Sequence, residues 1–255
     1  MERFGIDISK WQDANFNIAS TGAEFVIIKA GGSDDGLYID SQFLNFYTQA
    51  KNLGLDVGIY WYTKAASVSA LENEIDYLIG KVKGLQFELP VYLDIEEECL
   101  YNYSNALAVT WIKKLKDKGY YPGIYCGYYW SMDKLTSDII SQYPFWLAYW
   151  RETKPSFKWD FGMWQKGHMT SAGGIQVDID YQYIDYSFIK KQGYNGFKKQ
   201  KTYKDVTTNM ASYKAIMWAT EQGIVQGYSD GTFRPKDPCT REQVCTMLWR
   251  QAGKP

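Results

Sequence analysis

Apolar positions along the first 190 residues fall into two alternating rhythms. Near-continuous apolar runs at 4–8, 25–30, 57–62, 89–96, 122–127, 145–150, 161–165 and 177–183 read as short buried strands, since a strand covered on both faces needs no polar side. Between several of them lie stripes at helical spacing: Phe43, Phe46, Tyr47, Ala50 and Leu53; Ile75, Leu78, Ile79 and Val82; Leu107, Trp111, Ile112 and Leu115. Gly54 and Gly119 supply stops, Ser69 to Glu72 fits a capping box, and a weaker helix is expected at 131–142. Strands alternating with helices predict a parallel β/α barrel, and eight strand segments match its count. After position 150 the gaps shrink to about ten residues, marginal for a crossover helix. The expected fold is therefore α/β: an irregular TIM-like barrel of five β/α units followed by three strands, covering 1–192.

Residues 193–202 are polar, basic and glycine-containing and read as a linker. A small α-helical domain is expected at 203–255, with one helix carrying Ile216, Met217 and Ala219, turns at 227–235, and a second helix opened by a Thr240–Gln243 capping box with Val244, Met247 and Leu248 inside. Such a unit is small for an independent core.

Composition narrows the chemistry. The chain has 255 residues, 45% of them hydrophobic, which gives ample core. With 28 basic and 29 acidic residues it lacks the footprint of a nucleic-acid binder, and no apolar run reaches membrane-spanning length. Neither partner is expected. The N-terminal residues enter a strand pattern without a basic and apolar leader, so no secretory signal is expected. A single histidine, His168, is too little imidazole for a serine triad or a histidine-rich metal site. Carboxylates remain as acids and bases. Ten Trp, 22 Tyr and 12 Phe make an aromatic fraction of 17%, which suits hydrated, partly apolar ligands such as sugars. The four cysteines show no C-x-x-C spacing, leaving both a Cys239–Cys245 pair and free thiols open.

Active sites of β/α barrels lie at the carboxyl ends of the strands. The acids found there are Asp7 on the first strand, Asp94 and Glu96 on the fourth, and Asp178 or Asp180 on the eighth. Asp94 and Glu96 share a face, with backbones about 6.6 Å apart, within the range of paired carboxyls that flank a glycosidic bond. Tyr60, Tyr62, Trp150, Trp164 and Gln165 fall near the same rim. Convergent acids among aromatics favour sugar over a divalent ion, and no metal or cofactor is expected. Lys29 reads as a charge partner inside the mouth. For Tyr60, Tyr62 and Trp150, barrel packing competes with sugar contact. Glu97 and Glu98 read as solvated loop charges and His168 as a loop residue without a role.

Five strand motifs together, Gly5-Ile6-Asp7-Ile8-Ser9, Phe25-Val26-Ile27-Ile28-Lys29-Ala30-Gly31, Gly58-Ile59-Tyr60-Trp61-Tyr62, Pro90-Val91-Tyr92-Leu93-Asp94-Ile95-Glu96 and Trp164-Gln165 through Val177-Asp178, resemble the glycoside hydrolase family 25 lysozymes of the Chalaropsis type. The resemblance implies cleavage of the β-1,4 bond between N-acetylmuramic acid and N-acetylglucosamine in peptidoglycan. It makes Glu96 the general acid, Asp94 its partner, and Asp7 and Asp178 the remaining site acids. Lys29, Tyr60, Tyr62, Trp150, Gln165 and Asp180 become candidate substrate contacts, Asp180 standing where many relatives carry Asn. Glu96 should then have a raised pKa and Asp94 should stay ionised. The stereochemical outcome stays open between a substrate acetamido nucleophile steadied by Asp94 and a base-activated water.

The C-terminal segment, with Tyr203-Lys204-Asp205-Val206, Gly227-Tyr228-Ser229-Asp230-Gly231-Thr232-Phe233-Arg234-Pro235 and Thr240-Arg241-Glu242-Gln243, resembles an S-layer homology module. That implies binding to a secondary cell-wall polymer, with Arg241 and Gly227 as candidate contacts. Glu242 stands where the family's T-R-A-E motif has Ala. One module in place of the usual three suggests self-association. The combined expectation is an endolysin held in the host cytoplasm until lysis, with a chitinase-like glycosidase or a silent wall-binding protein as alternatives. The chitinase reading lacks the D-x-x-D-x-D-x-E run, since Val91 and Leu93 occupy acid positions.

Overall fold

The computed structural model describes residues 2–171 and 173–253; Met1, Ala172, Lys254 and Pro255 of the expected domains lie outside the described residues. The chain forms two compact units that meet in sequence between Lys198 and Lys199.

The first unit is a barrel. Its strands are β1 (Arg3–Ile8), β2 (Phe25–Gly32), β3 (Tyr38–Ile39), β4 (Asp56–Tyr62), β5 (Val91–Asp94), β6 (Pro122–Gly127), β7 (Phe145–Ala148), β8 (Met163–Thr170) and β9 (Gln176–Gln182). Its helices are α1 (Phe43–Asn52), α2 (Val68–Val82), α3 (Ser104–Asp117), α4 (Tyr128–Lys134), α5 (Asp138–Ser141) and α6 (Phe188–Gln192). Neighbours from β1 through β2, β4, β5, β6 and β7 to β8 pair in parallel. The ring closes through β9, which runs antiparallel to both β8 and β1, while β3 pairs only with the end of β2.

The late strands differ from expectation in length and direction. β8 runs on to Thr170 and turns back as a hairpin, so the short gap needs only a turn and no crossover. His168 accordingly lies on β8, opposite Asp178, and not in a loop. The weak helix expected at 131–142 splits into α4 and α5. The cap of α2 is Ser67, whose hydroxyl accepts the Ala70 N–H at 3.2 Å, two residues before the expected Ser69.

Both faces of β2 are buried, as a barrel strand requires. Phe25, Ile27, Leu89, Tyr92, Tyr125, Trp146 and Met163 pack together, whereas Val26, Ile28, Val57 and Ile59 join Phe46, Leu71, Leu78 and Leu107 in a second layer. Glycines make room for the large rings: a Cβ on Gly5 would lie 2.3 Å from the Phe25 ring, and one on Gly123 would lie 2.4 Å from that of Tyr92.

The first half of the expected linker belongs to the barrel. Asn195 is fully buried, donating from Nδ2 to the carbonyls of Phe87 and Leu89 at 3.2 and 2.8 Å and accepting the Tyr121 N–H at 2.7 Å. Its polar amide satisfies backbone groups that no ladder reaches, which is why a hydrophilic sequence sits inside.

The second unit holds α7 (Tyr213–Glu221) and α8 (Arg241–Gln251). The Thr240–Gln243 capping box forms, with the Thr240 hydroxyl accepting Gln243 N–H at 3.2 Å and the Gln243 amide oxygen accepting Thr240 N–H at 2.9 Å. The core is small: Tyr203, Val206 and Ile216 are buried, with Met210, Tyr213, Met217 and Phe233 against them. Val244 and Leu248, expected inside, are 44% and 60% exposed, because so small a core has no second layer to cover α8.

Candidate active site

Asp94 is the last residue of β5 and is buried; Ile95 continues the pairing, its N–H donating to the Tyr125 carbonyl at 3.1 Å, and points its apolar side chain into the core. Alternation therefore returns Glu96 to the face of Asp94. Asp7, near the end of β1, lies opposite Asp178 in the β1–β9 register. Because β9 runs antiparallel, the residue at the mouth comes from its beginning: Asp178 reaches the cavity while Asp180, two residues on, lies fully buried below.

A cavity of about 460 Å³ opens here, lined by Asp7, Lys29, Tyr60, Tyr62, Asp94, Glu96 and Asp178 among others. The four acids expected at the site are thus brought together. Lys29 is buried beside them, its ammonium 4.3 Å from the centre of the Tyr62 ring. Asp180 departs from expectation: it does not line the cavity, and its Oδ1 accepts the Trp146 indole N–H at 2.7 Å. Glu97 departs too, accepting the Tyr62 hydroxyl and pairing with Lys64 at 3.4 Å. The wall also includes Ser9, Trp11, Gln12, Asp34 and Gln176, which strand-end reading passed over. Trp11, 79% exposed, follows β1 closely enough for the same rule to have found it; Gln176 becomes visible only once the direction of β9 is known.

A second cleft of about 430 Å³ is lined by Tyr125, Tyr128, Tyr129, Trp130, Tyr149, Trp150 and Gln165, and it shares Glu96 with the first. Gln165 bridges the two. Its Nε2 donates to Asp7 at 2.9 Å, while its Oε1 accepts from the Tyr125 hydroxyl at 3.1 Å and from the Trp150 indole at 3.2 Å.

Crowded carboxyls in a poorly solvated cavity resist ionising together. Burial pushes Asp7 up to about 7, helped by Asp178 and opposed by the Gln165 amide. Burial also raises Asp94 well above the carboxylate range, with Glu96 adding and Lys29 opposing. The direction runs against the expectation that Asp94 stays ionised. Glu96 is exposed as a residue, yet the cleft around its carboxyl raises it by desolvation, against Lys29 and with Glu97 and Asp178. Asp178 rises by burial, opposed by His168. Asp180 is also raised well above the carboxylate range, by burial first and Asp7 second. Among the described residues its Oδ2 is buried without a donor, and a protonated Asp180 carboxyl would satisfy it by donating to Asp7. Asp94 Oδ1 is likewise buried without a donor among the described residues.

In the second unit Arg241 is exposed at the start of α8. Gly227 has a packing reason: a Cβ there would lie 2.2 Å from the Tyr203 ring, and its N–H donates to the Tyr203 hydroxyl at 3.1 Å. All four cysteines are free.

The sequence profile of Glycosyl hydrolases family 25 matches residues 6–175, and that of the S-layer homology domain matches residues 202–245. Over 183 residues the chain is 29% identical to the autolytic lysozyme of Clostridium acetobutylicum, covering 69% of this chain and 54% of that one. It is 28% identical over 199 residues to lysozyme M1 of Streptomyces globisporus, covering 69% and 65%. The chain thus spans less than two thirds of the length of these curated relatives. The crystal structure of the CTP1L endolysin superposes with a TM-score of 0.64 at 18% identity, over 99% of this chain and 98% of that one, which shows a shared fold.

Proposed function

The chain belongs to glycosyl hydrolases family 25, and from that premise we propose that it is a peptidoglycan hydrolase, an N-acetylmuramidase cleaving the β-1,4 bond between N-acetylmuramic acid and N-acetylglucosamine. The observation that carries this reading is the position of Glu96, which lines both the carboxyl-rich cavity and the aromatic cleft and so stands where a glycosidic oxygen passes between them.

Glu96, kept neutral by its surroundings, donates its proton to the leaving oxygen. Positive charge then develops at the anomeric carbon, and negative charge on the neighbouring carboxyls stabilises it. Asp94 Oδ1, buried without a donor, is suited to accept the N–H of a substrate acetamido group. That hydrogen bond and the growing charge favour the ionised form of Asp94 during the reaction, in keeping with the acetamido oxygen as nucleophile. Lys29 offsets part of the repulsion among the acids, and Tyr60, Tyr62, Trp150 and Gln165 contact substrate from the walls. Asp180 holds Asp7 from below and touches no substrate.

The S-layer homology segment holds the enzyme on a secondary wall polymer, with Arg241 offering a planar fork to an anionic ligand, and the exposed face of α8 supports association between copies. A wall hydrolase joined to a wall-binding module fits an endolysin acting at the bacterial wall. The test is to incubate purified walls with wild type, Glu96→Gln and Arg241→Ala. Wild type should release soluble fragments, Glu96→Gln should pellet with walls and release none, and Arg241→Ala should pellet less. Release by Glu96→Gln at the wild-type rate would overturn the assignment.

A further inference from the structure

We propose that His168 is a positioning residue for the reaction: from β8 it faces Asp178 across the β8–β9 pair, and in its cationic form it holds that carboxyl ionised beside the reacting sugar. The proposal rests on the muramidase reading, in which carboxylate charge in the cavity stabilises the positive charge developing at the anomeric carbon. The placement is made by one irregularity in the sheet. Gln165 lies opposite Asp180, Gly167 opposite Ile179 and His168 opposite Asp178, so Lys166 is an extra residue in the ladder. Side chains alternate along a strand, and without that bulge residues 165, 167 and 169 would share a face. The extra residue shifts the phase. His168 joins Gln165 on the face that Asp178 and Asp180 share, and directly opposed residues of an antiparallel pair stand with their Cβ atoms about 5 Å apart.

The surroundings of Asp178 give that cation its task. Asp7 faces Asp178 from β1, Glu96 from beyond β5, and Asp180 follows two residues along β9 itself, while Asp34 stands elsewhere on the cavity wall. All are acids, and burial presses Asp178 toward its neutral form as well. Lys29 lines the same cavity but acts on Asp94 and Glu96. Lys166 turns to the other side of the strand, its ammonium 6.0 and 5.8 Å from the ring centres of Trp164 and Tyr181. His168 opposes the shift at Asp178. Its place is fixed from the side: the Trp150 ring meets the imidazole at 5.3 Å and 64°, and the Trp150 indole N–H donates to Gln165 at 3.2 Å. An imidazole gains charge as pH falls, which is when a crowded carboxyl begins to take up a proton. The cation therefore arrives where Asp178 needs it and keeps the site active further into the acid range.

The test is the pH profile of kcat/KM on soluble peptidoglycan glycan chains, read as new reducing ends, for wild type, His168→Gln and His168→Lys. Glutamine removes the charge, and lysine keeps it at every pH of the profile. His168 is exposed, so neither change opens a cavity. In His168→Gln the acid limb should move to higher pH, because Asp178 loses the cation that favours its ionised form. At pH 5 kcat/KM should fall about threefold below wild type, with the loss shrinking toward neutral pH and the alkaline limb, which reports Glu96, left in place. His168→Lys should bring the acid limb back. A loss of one size at all pH values, an acid limb that stays put, or a lysine variant that behaves as the glutamine one does would overturn the proposal and leave the muramidase reading standing. A wild type that creates no new reducing ends at any pH would overturn both.

Discussion

A carboxyl that donates a proton near neutral pH needs surroundings that favour its neutral form, and Glu96 has a partly desolvated cleft, with Glu97 and Asp178 adding and Lys29 opposing. The pH profile of kcat/KM should therefore fall on its alkaline side above the ordinary glutamate value of about 4.3. A limb at that ordinary value would contradict the raised pKa. Asp7, Asp94 and Asp180 carry the same sign into stability. Their folded-state pKa values exceed the unfolded ones, with Asp7 at about 7. Stability they favour is complete below the unfolded carboxylate value and is lost as pH rises through the folded one. The thermal midpoint should drop by several degrees between pH 5 and pH 8. Asp180→Asn keeps a donor for Asp7 and an acceptor for Trp146, so it should flatten that drop and retain most activity. A steeper drop would contradict Asp180 as a neutral donor. Among the site residues, Asp7, Asp94 and Glu96 were legible because parallel strands deliver their ends to one mouth. The upward shift of Asp94 was not, because burial depends on walls assembled from the rest of the barrel.

At the level of elements, β9 marks the limit of reading by periodicity. Alternation announces a strand but carries no direction, so Asp178 and Asp180 stood equal in the sequence, and only antiparallel pairing puts Asp178 at the mouth and Asp180 beneath it. The segment after α6 teaches the complementary lesson. Polar residues with glycines read as linker, yet Asn195 is held by three backbone groups and Gly196 adopts φ of 83°, where an added Cβ would lie 2.1 Å from the Leu85 carbonyl oxygen. Asn195→Ala would leave buried backbone groups without partners and should destabilise the barrel by about 3 kcal/mol in chemical denaturation. A change below about 0.5 kcal/mol, the range of an ordinary surface substitution, would return the segment to a linker role.

At the scale of the whole molecule, the two units differ in how well each covers its own apolar surface. The barrel buries two extensive side-chain layers, whereas the second unit leaves Val244, Leu248, Trp249 and Trp218 exposed. The proposed association between copies should show as a molar mass that rises with concentration in sedimentation equilibrium, abolished by Leu248→Glu. A constant monomer mass for the wild type would remove it. The barrel motifs were legible because they lie in order along consecutive strands; the bare face of α8 was not, since helical spacing says which residues are apolar but not whether anything is there to cover them. The central claim concerns the bond that is cut, and the most direct measurement is the identity of new reducing ends on purified peptidoglycan after borohydride reduction. Wild type should create muramic-acid ends, and Glu96→Gln should create none. New glucosamine ends, or none with wild-type protein on walls from several bacteria, would contradict the account.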